Sequence, residues 1–211
     1  MNQARIATLL KRLTSEPSSK QVANPYREKA CAKNLAAYLR GLCELPFSGQ
    51  LLVGEAPGHR GCAVTGIPFT SERILANSEH PFVTSLRSSL AVSGDSAEST
   101  ATIVWDYVSE CDVVPAFWNI FPFHPHKIGK PDSNRTPTAP EVAAGCAYLE
   151  LVLEVLGPVL VIAVGGKATK TIKRFFPDVE LVSVPHPSYG HKQAFIDGLA
   201  AAGIRKRPAS Q

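Results

Sequence analysis

Three short polar segments carry residue types able to do chemistry, and each follows an apolar run. Gly54-Glu55-Ala56-Pro57-Gly58 sets one carboxylate between glycines, where it could orient or activate a water. Asn119 lies in the run Val113 to Ile120 and offers a donor and an acceptor on one side chain. His186-Pro187-Ser188 holds an imidazole between two prolines, beside a hydroxyl. Each segment also has a structural reading: Glu55 as a helix cap or loop brace, Asn119 as a partner of turn amides, His186 as a packed loop histidine. Gly165-Gly166-Lys167 suggests a phosphate loop, but the G-x-x-x-x-G-K-S/T spacing is absent. Glycines capping a strand-to-helix turn account for it better.

The elements that must position these residues are legible from periodicity. Residues 1–45 read as two helical pieces broken around Pro17 to Pro25. In the second, Glu28 to Leu45, Leu35, Tyr38, Leu39 and Leu42 form an apolar stripe at three- and four-residue spacing. Buried strands are expected at Gln50 to Gly54, within Val113 to Ile120, within Val159 to Gly166, and at Leu181 to Val184. A long helical stretch, Ala139 to Leu156, precedes the third of these. Continuously apolar strands separated by helical segments predict an α/β fold, a three-layer α/β/α sandwich with a central, mostly parallel four-stranded sheet. Open sheets of this kind bind ligands beyond the carboxyl ends of their strands. The three polar segments therefore converge on one rim.

The order of these segments is specific. Gly-Glu-Ala-Pro-Gly is followed by Gly66-Ile67-Pro68-Phe69, Asn119, Asn134-Arg135-x-Pro137-x3-Glu141, Gly165-Gly166-Lys167-Ala168 and His186-Pro187-Ser188. It resembles the uracil-DNA glycosylase superfamily from about Gln50 to Leu199, most nearly the family 4 branch. The resemblance implies a monofunctional DNA repair glycosylase that flips uracil out of DNA and hydrolyses its N-glycosidic bond, leaving an abasic site. Glu55 and His186 would be catalytic, one acting on the attacking water and the other donating to uracil O2 as negative charge grows. Gly54, Ala56, Phe69 and Asn119 would bind the base, Phe69 by stacking and Asn119 by pairing with O4 and N3–H. Gly58, Arg60, Ser188, Tyr189, His191 and Lys192 would face DNA, the last three in a loop that wedges into the duplex.

Departures from the family pattern matter as much. Family 4 enzymes resemble one another in four cysteines that hold an iron–sulfur cluster. Here Cys146 alone falls at a matching place, Phe123 stands after the asparagine strand, and Cys31 and Cys43 are too far apart for the close pair. No cluster is expected, and no metal, because water is the nucleophile and fixed dipoles stabilise the transition state. Asn134 stands where a covalent branch of the superfamily has its histidine, so Asn134 and Arg135 read as loop anchors, with His124 and His126 as lesser candidates for covalent trapping. Gly58 stands where family 1 enzymes have a tyrosine that excludes thymine's methyl. No lysine is obviously placed for a Schiff base. Alternatives are a uracil-DNA or damaged-base binding protein with little turnover, and a small-molecule nucleotide-binding α/β protein.

Composition sets the outer bounds. The 211 residues carry a formal charge of +4, 45% apolar and 19% charged side chains, which is ordinary globular composition. The charge permits a phosphate-bearing partner such as uracil-containing DNA without establishing one. Met1 to Thr14 reads as an amphipathic helix rather than a signal peptide, and no apolar run approaches a membrane span. Five cysteines without a C-x-x-C fit a reducing cytoplasm, and a monomer is expected. The basic segment Arg205-Lys206-Arg207 reads as a frayed, solvated end.

Overall fold

The computed structural model describes residues 2–188 and 190–208. The chain runs through α1 (Asn2–Ser15), β1 (Val22–Ala23), α2 (Lys29–Glu44) and β2 (Gln50–Gly54). Four short helices follow: α3 (Cys62–Thr65), α4 (Glu72–Asn77), α5 (Pro81–Leu86) and α6 (Ser99–Val108). Then come β3 (Ala116–Asn119), β4 (His124–Pro125), α7 (Ala139–Leu156), β5 (Leu160–Val164), α8 (Gly166–Phe175), β6 (Leu181–Val184) and α9 (Lys192–Ala201).

The four apolar runs pair in parallel, in the order β3-β2-β5-β6, and helices flank the sheet. The expected α/β/α architecture with a four-stranded central sheet is therefore the observed one. Leu51, Leu52 and Val53 on β2 and Ile162 and Ala163 on β5 are sealed from solvent, as central strands covered on both faces must be. A separate antiparallel pair joins β1 to β4. The chain steps from β2 to β3 on one side, then crosses back to β5 on the other. That reversal opens a crevice at the carboxyl ends of β2 and β5, the usual ligand position in such sheets.

The helices follow from their caps and stripes. Leu35, Tyr38, Leu39 and Leu42 of α2 are all buried, and the Tyr38 hydroxyl also accepts from the Phe117 N–H of edge strand β3 at 2.6 Å. Each fully buried leucine of that stripe contributes about 2 kcal/mol of transfer free energy, far more than helix propensity does. Thr138 and Glu141 cap α7 reciprocally, and Gly157 ends it in the left-handed region at φ 53°. At its middle, α7 crosses the end of β3 so closely that a Cβ on Gly145 would lie 2.2 Å from the Ile120 carbonyl oxygen.

One expectation needs correction. The tail is tacked down, not frayed: the Arg207 N–H donates to the Glu110 carbonyl at 2.8 Å and Lys206 pairs with the Glu110 carboxylate at 2.9 Å. The stretch between Arg60 and Glu110 forms four short helices where the sequence shows no long periodic pattern.

Candidate active site

A cleft of about 730 Å³ opens at the crevice, lined by the loop after β2, the ends of β3 and β5, the segment before α7, and the segment after β6. Gly54, Glu55, Ala56, Gly58, Phe69, Asn119, His186 and Ser188 all line it, together with Asn134, Arg135 and Lys167. Residues more than one hundred positions apart in sequence thus meet because four parallel strands end on one edge.

The floor is built around Gly54. A Cβ there would lie 2.7 Å from Asn119 Oδ1 and 2.8 Å from Phe69 Cζ, so the missing side chain is what lets amide and ring meet. Asn119 is 5% exposed, and among the described residues its side-chain amide has no hydrogen-bond partner. A buried amide facing a cleft with its donor and acceptor unused is suited to a ligand presenting the complementary pair. Backbone bonds from Ile120 N to the Gly54 carbonyl (2.9 Å) and from Phe121 N to the Glu55 carbonyl (3.0 Å) lock the two strand ends together.

Phe69 is the one non-glycine residue with positive φ, 54°, among the described residues. Such a conformation costs on the order of 1–3 kcal/mol and persists only where the surroundings impose it. Here Trp105 Nε1 donates to the Phe69 carbonyl at 2.9 Å, the ring rests on Phe117, and Thr65 and Thr70 share a 2.8 Å hydroxyl bond beneath the loop. Gly66, at φ 77°, lies so near the Cys31 carbonyl that any side chain would collide with α2. The Gly-Ile-Pro-Phe turn is therefore clamped from both sides, and it aims one aromatic ring at the cleft.

His186 opens to the cleft, and Nδ1 accepts the Ser188 N–H at 3.3 Å. Loss of solvent against the cleft walls lowers its pKa, while the Glu98 and Glu55 carboxylates pull the other way. With Nδ1 accepting the Ser188 N–H, Nε2 is the ring nitrogen left to donate to the cleft. Gly165, at φ 86°, passes behind His186 with room for only ordinary contact.

The sequence reading gave no site role to two charged residues here. Glu98 caps α6 through both oxygens, to Thr100 N at 3.0 Å and Ala101 N at 2.6 Å, and lines the cleft facing His186. Lys167 extends from the start of α8 to Glu55 Oε1 at 3.2 Å and also donates to Thr136 Oγ1. A lysine therefore stands in the cleft, paired with a carboxylate. Its sequence signals were its place three residues past the end of a buried strand and its position in Gly165-Gly166-Lys167-Ala168.

The residues expected to face DNA divide. Gly58 and Ser188 line the cleft; Arg60 and His191 are exposed outside its lining, and Lys192 pairs with Asp106 at 3.1 Å. Tyr189 lies outside the described residues. Asn134 and Arg135 are loop anchors, as expected. Asn134 Oδ1 accepts from His59 N at 3.1 Å, and the Arg135 guanidinium spends all five N–H bonds on Glu141 and the carbonyls of Gln21, His126 and Thr136. That guanidinium has no donor left for a phosphate. His124 and His126 are buried, bonded to backbone carbonyls and outside the cleft lining, which removes them as trapping nucleophiles.

The donors for a four-thiolate cluster do not fit. Phe123 packs edge-on against Tyr26, Phe121 and Tyr148, filling the place after the asparagine strand with aromatic carbon. No three His, Cys, Asp or Glu side chains among the described residues gather as a metal site.

A crevice at the strand reversal, floored by an amide and a ring and edged by a carboxylate and an imidazole, defines a hydrolase-like α/β site. The chain belongs to the uracil-DNA glycosylase superfamily, whose family model matches residues 43–195. The crystal structure of wild-type SMUG2 from Pedobacter heparinus superposes with a TM-score of 0.67 at 18% identity, covering 94% of this chain and 96% of that one. A tyrosine-to-glycine mutant of the UNG from Nitratifractor salsuginis gives 0.44 at 15% identity, over 97% and 100% of the two chains. The SMUG2 likeness is one of fold. No curated protein matches the chain. Superfamily membership supports DNA glycosylase activity.

Proposed function

We propose that the protein is a monofunctional uracil-DNA glycosylase of a branch that resembles family 4 but has no iron–sulfur cluster. A stacked base is out of reach of any side chain, so the target nucleotide rotates out of the duplex into the cleft. Phe69 stacks on the base. The Asn119 amide donates to uracil O4 and accepts from N3–H, a pattern that cytosine reverses. Rejection on these grounds is strong, because the wrong base leaves buried polar groups unpaired.

Scission of the bond between C1′ and N1 leaves its electron pair on the base and cationic character on the sugar. His186 donates from Nε2 to O2 as that charge grows, an oxyanion-type stabilisation. Glu55 orients the attacking water, accepts its proton as the C1′–O bond forms, and offsets the sugar's positive charge. The departing base takes its proton from solvent. Ser188 and the backbone around Gly58 hold flanking phosphates.

The observation that carries this reading is the unpartnered, nearly buried Asn119 amide meeting the strained Phe69 ring over Gly54, with Glu55 and His186 on the same cleft. Single-turnover release of uracil from an oligonucleotide tests it. Glu55→Ala and His186→Ala should each slow the reaction about 10²-fold or more. Unchanged rates in both variants would remove these residues from the chemistry.

A further inference from the structure

Lys167 draws together three segments that are distant in sequence. Its Nζ lies 3.2 Å from Glu55 Oε1 in the loop after β2 and also bonds Thr136 Oγ1 in the segment before α7, while its own backbone starts α8 after β5. The Thr136 segment is itself rigid, since Arg135 ties it to Glu141 and to three backbone carbonyls. The ammonium thus connects a mobile type of side chain, a glutamate with three rotatable bonds, to a fixed frame.

We propose that Lys167 is a positioning residue for Glu55: it ties down Oε1 and so presents Oε2 to the attacking water. This rests on the reading of Glu55 as the water-orienting carboxylate. Two of the three ammonium donors are committed to Glu55 and Thr136, so Lys167 acts as a tether rather than as an amine nucleophile. Ordering a glutamate costs side-chain entropy, and a tether present before substrate arrives removes that cost from the chemical step. Its effect accordingly falls on kcat and leaves KM alone.

The pair is half open to solvent, with Lys167 60% and Glu55 34% exposed, which sets a modest scale. Lys167→Met should lower kcat roughly fivefold, with KM and its salt dependence unchanged. Lys167→Arg should recover most of the loss, and adding Lys167→Met to Glu55→Gln should cost nothing further. A loss confined to KM, with the salt slope reduced by about one, would make Lys167 a phosphate contact and overturn the proposal. Borohydride trapping of DNA on the native protein but not on Lys167→Met would overturn it in favour of an amine nucleophile, and an undiminished kcat would end it outright. Glu55→Gln separates the two claims. If that variant is as fast as the native protein, the reading of Glu55 fails; if it is slow while Lys167→Met is fast, only the tether fails.

Discussion

One methyl group at Gly54 should cripple the site while leaving the fold in place. The backbone at Gly54 is not in the left-handed region, so alanine meets no conformational penalty there and its effect is purely steric. The added Cβ would lie 2.7 Å from Asn119 Oδ1 and 2.8 and 3.3 Å from two carbons of the Phe69 ring. Optimal carbon contacts begin near 3.5 Å, so amide and ring must each retreat by about 0.7 Å. Neither retreats freely. Phe69 is held at φ 54° with its carbonyl on Trp105 and its ring on Phe117, and Asn119 ends a strand paired in register with β2. Overpacking of this kind costs about 1–3 kcal/mol, a few degrees in Tm for a chain of this size. A displacement approaching 1 Å at the substrate-positioning groups costs about 10²-fold in rate. Gly54→Ala should therefore show kcat/KM on a uracil oligonucleotide down about 10²-fold, with a cooperative melt only slightly below that of the native protein. A folded Gly54→Ala protein with kcat/KM within threefold of native would refute the idea that Asn119 and Phe69 form the base floor.

Asn119→Asp replaces the amide donor with an acceptor, so the preference for uracil over cytosine should shrink by at least tenfold in paired oligonucleotide assays. An unaltered preference would take Asn119 out of base recognition. The Arg135–Glu141 pair gives a prediction about stability. The Arg135 guanidinium hydrogen-bonds the Glu141 carboxyl and holds it down from an ordinary 4.5 to about 2. Because the folded value is the lower one, this contribution is complete above the unfolded value and fades as pH falls from about 5 towards 2. A shift of that size corresponds to about 3 kcal/mol for this partly buried pair, whose side chains are 17% and 20% exposed. Bonds from Thr138 share in that shift and stay in the variant, so denaturant unfolding should show Arg135→Met less stable at pH 7 by part of that amount, with the gap narrowing in acid. A gap independent of pH would assign the loss to packing instead.

Much of the fold was legible because its decisive elements are long or continuously apolar. β2 and α7 fall where the sequence placed them, and β3 is shorter than the run from Val113 to Ile120 because only Ala116–Asn119 pairs with β2. Helices α3 to α6 left no signature, since segments of four to ten residues are held by tertiary contacts rather than by their own periodicity. The cleft was legible in its loop motifs, whose glycines, prolines and single polar residues stand at strand ends. Its charge pairing was not. Lys167 and Glu55 are 112 positions apart, and nothing local distinguishes a lysine that reaches a carboxylate from one that reaches water. Arg135 could serve a phosphate or a carboxylate equally well in sequence; only the loop geometry, which brings five acceptors around it, decides.

The central claim is uracil excision, and alkali treatment of an end-labelled oligonucleotide tests it most directly. After incubation with the native protein, a strand containing one uracil should break at that position on heating in alkali, while the matching strand with cytosine or thymine stays whole. Intact uracil strands at stoichiometric protein, with or without a persistent protein–DNA adduct, would contradict the account.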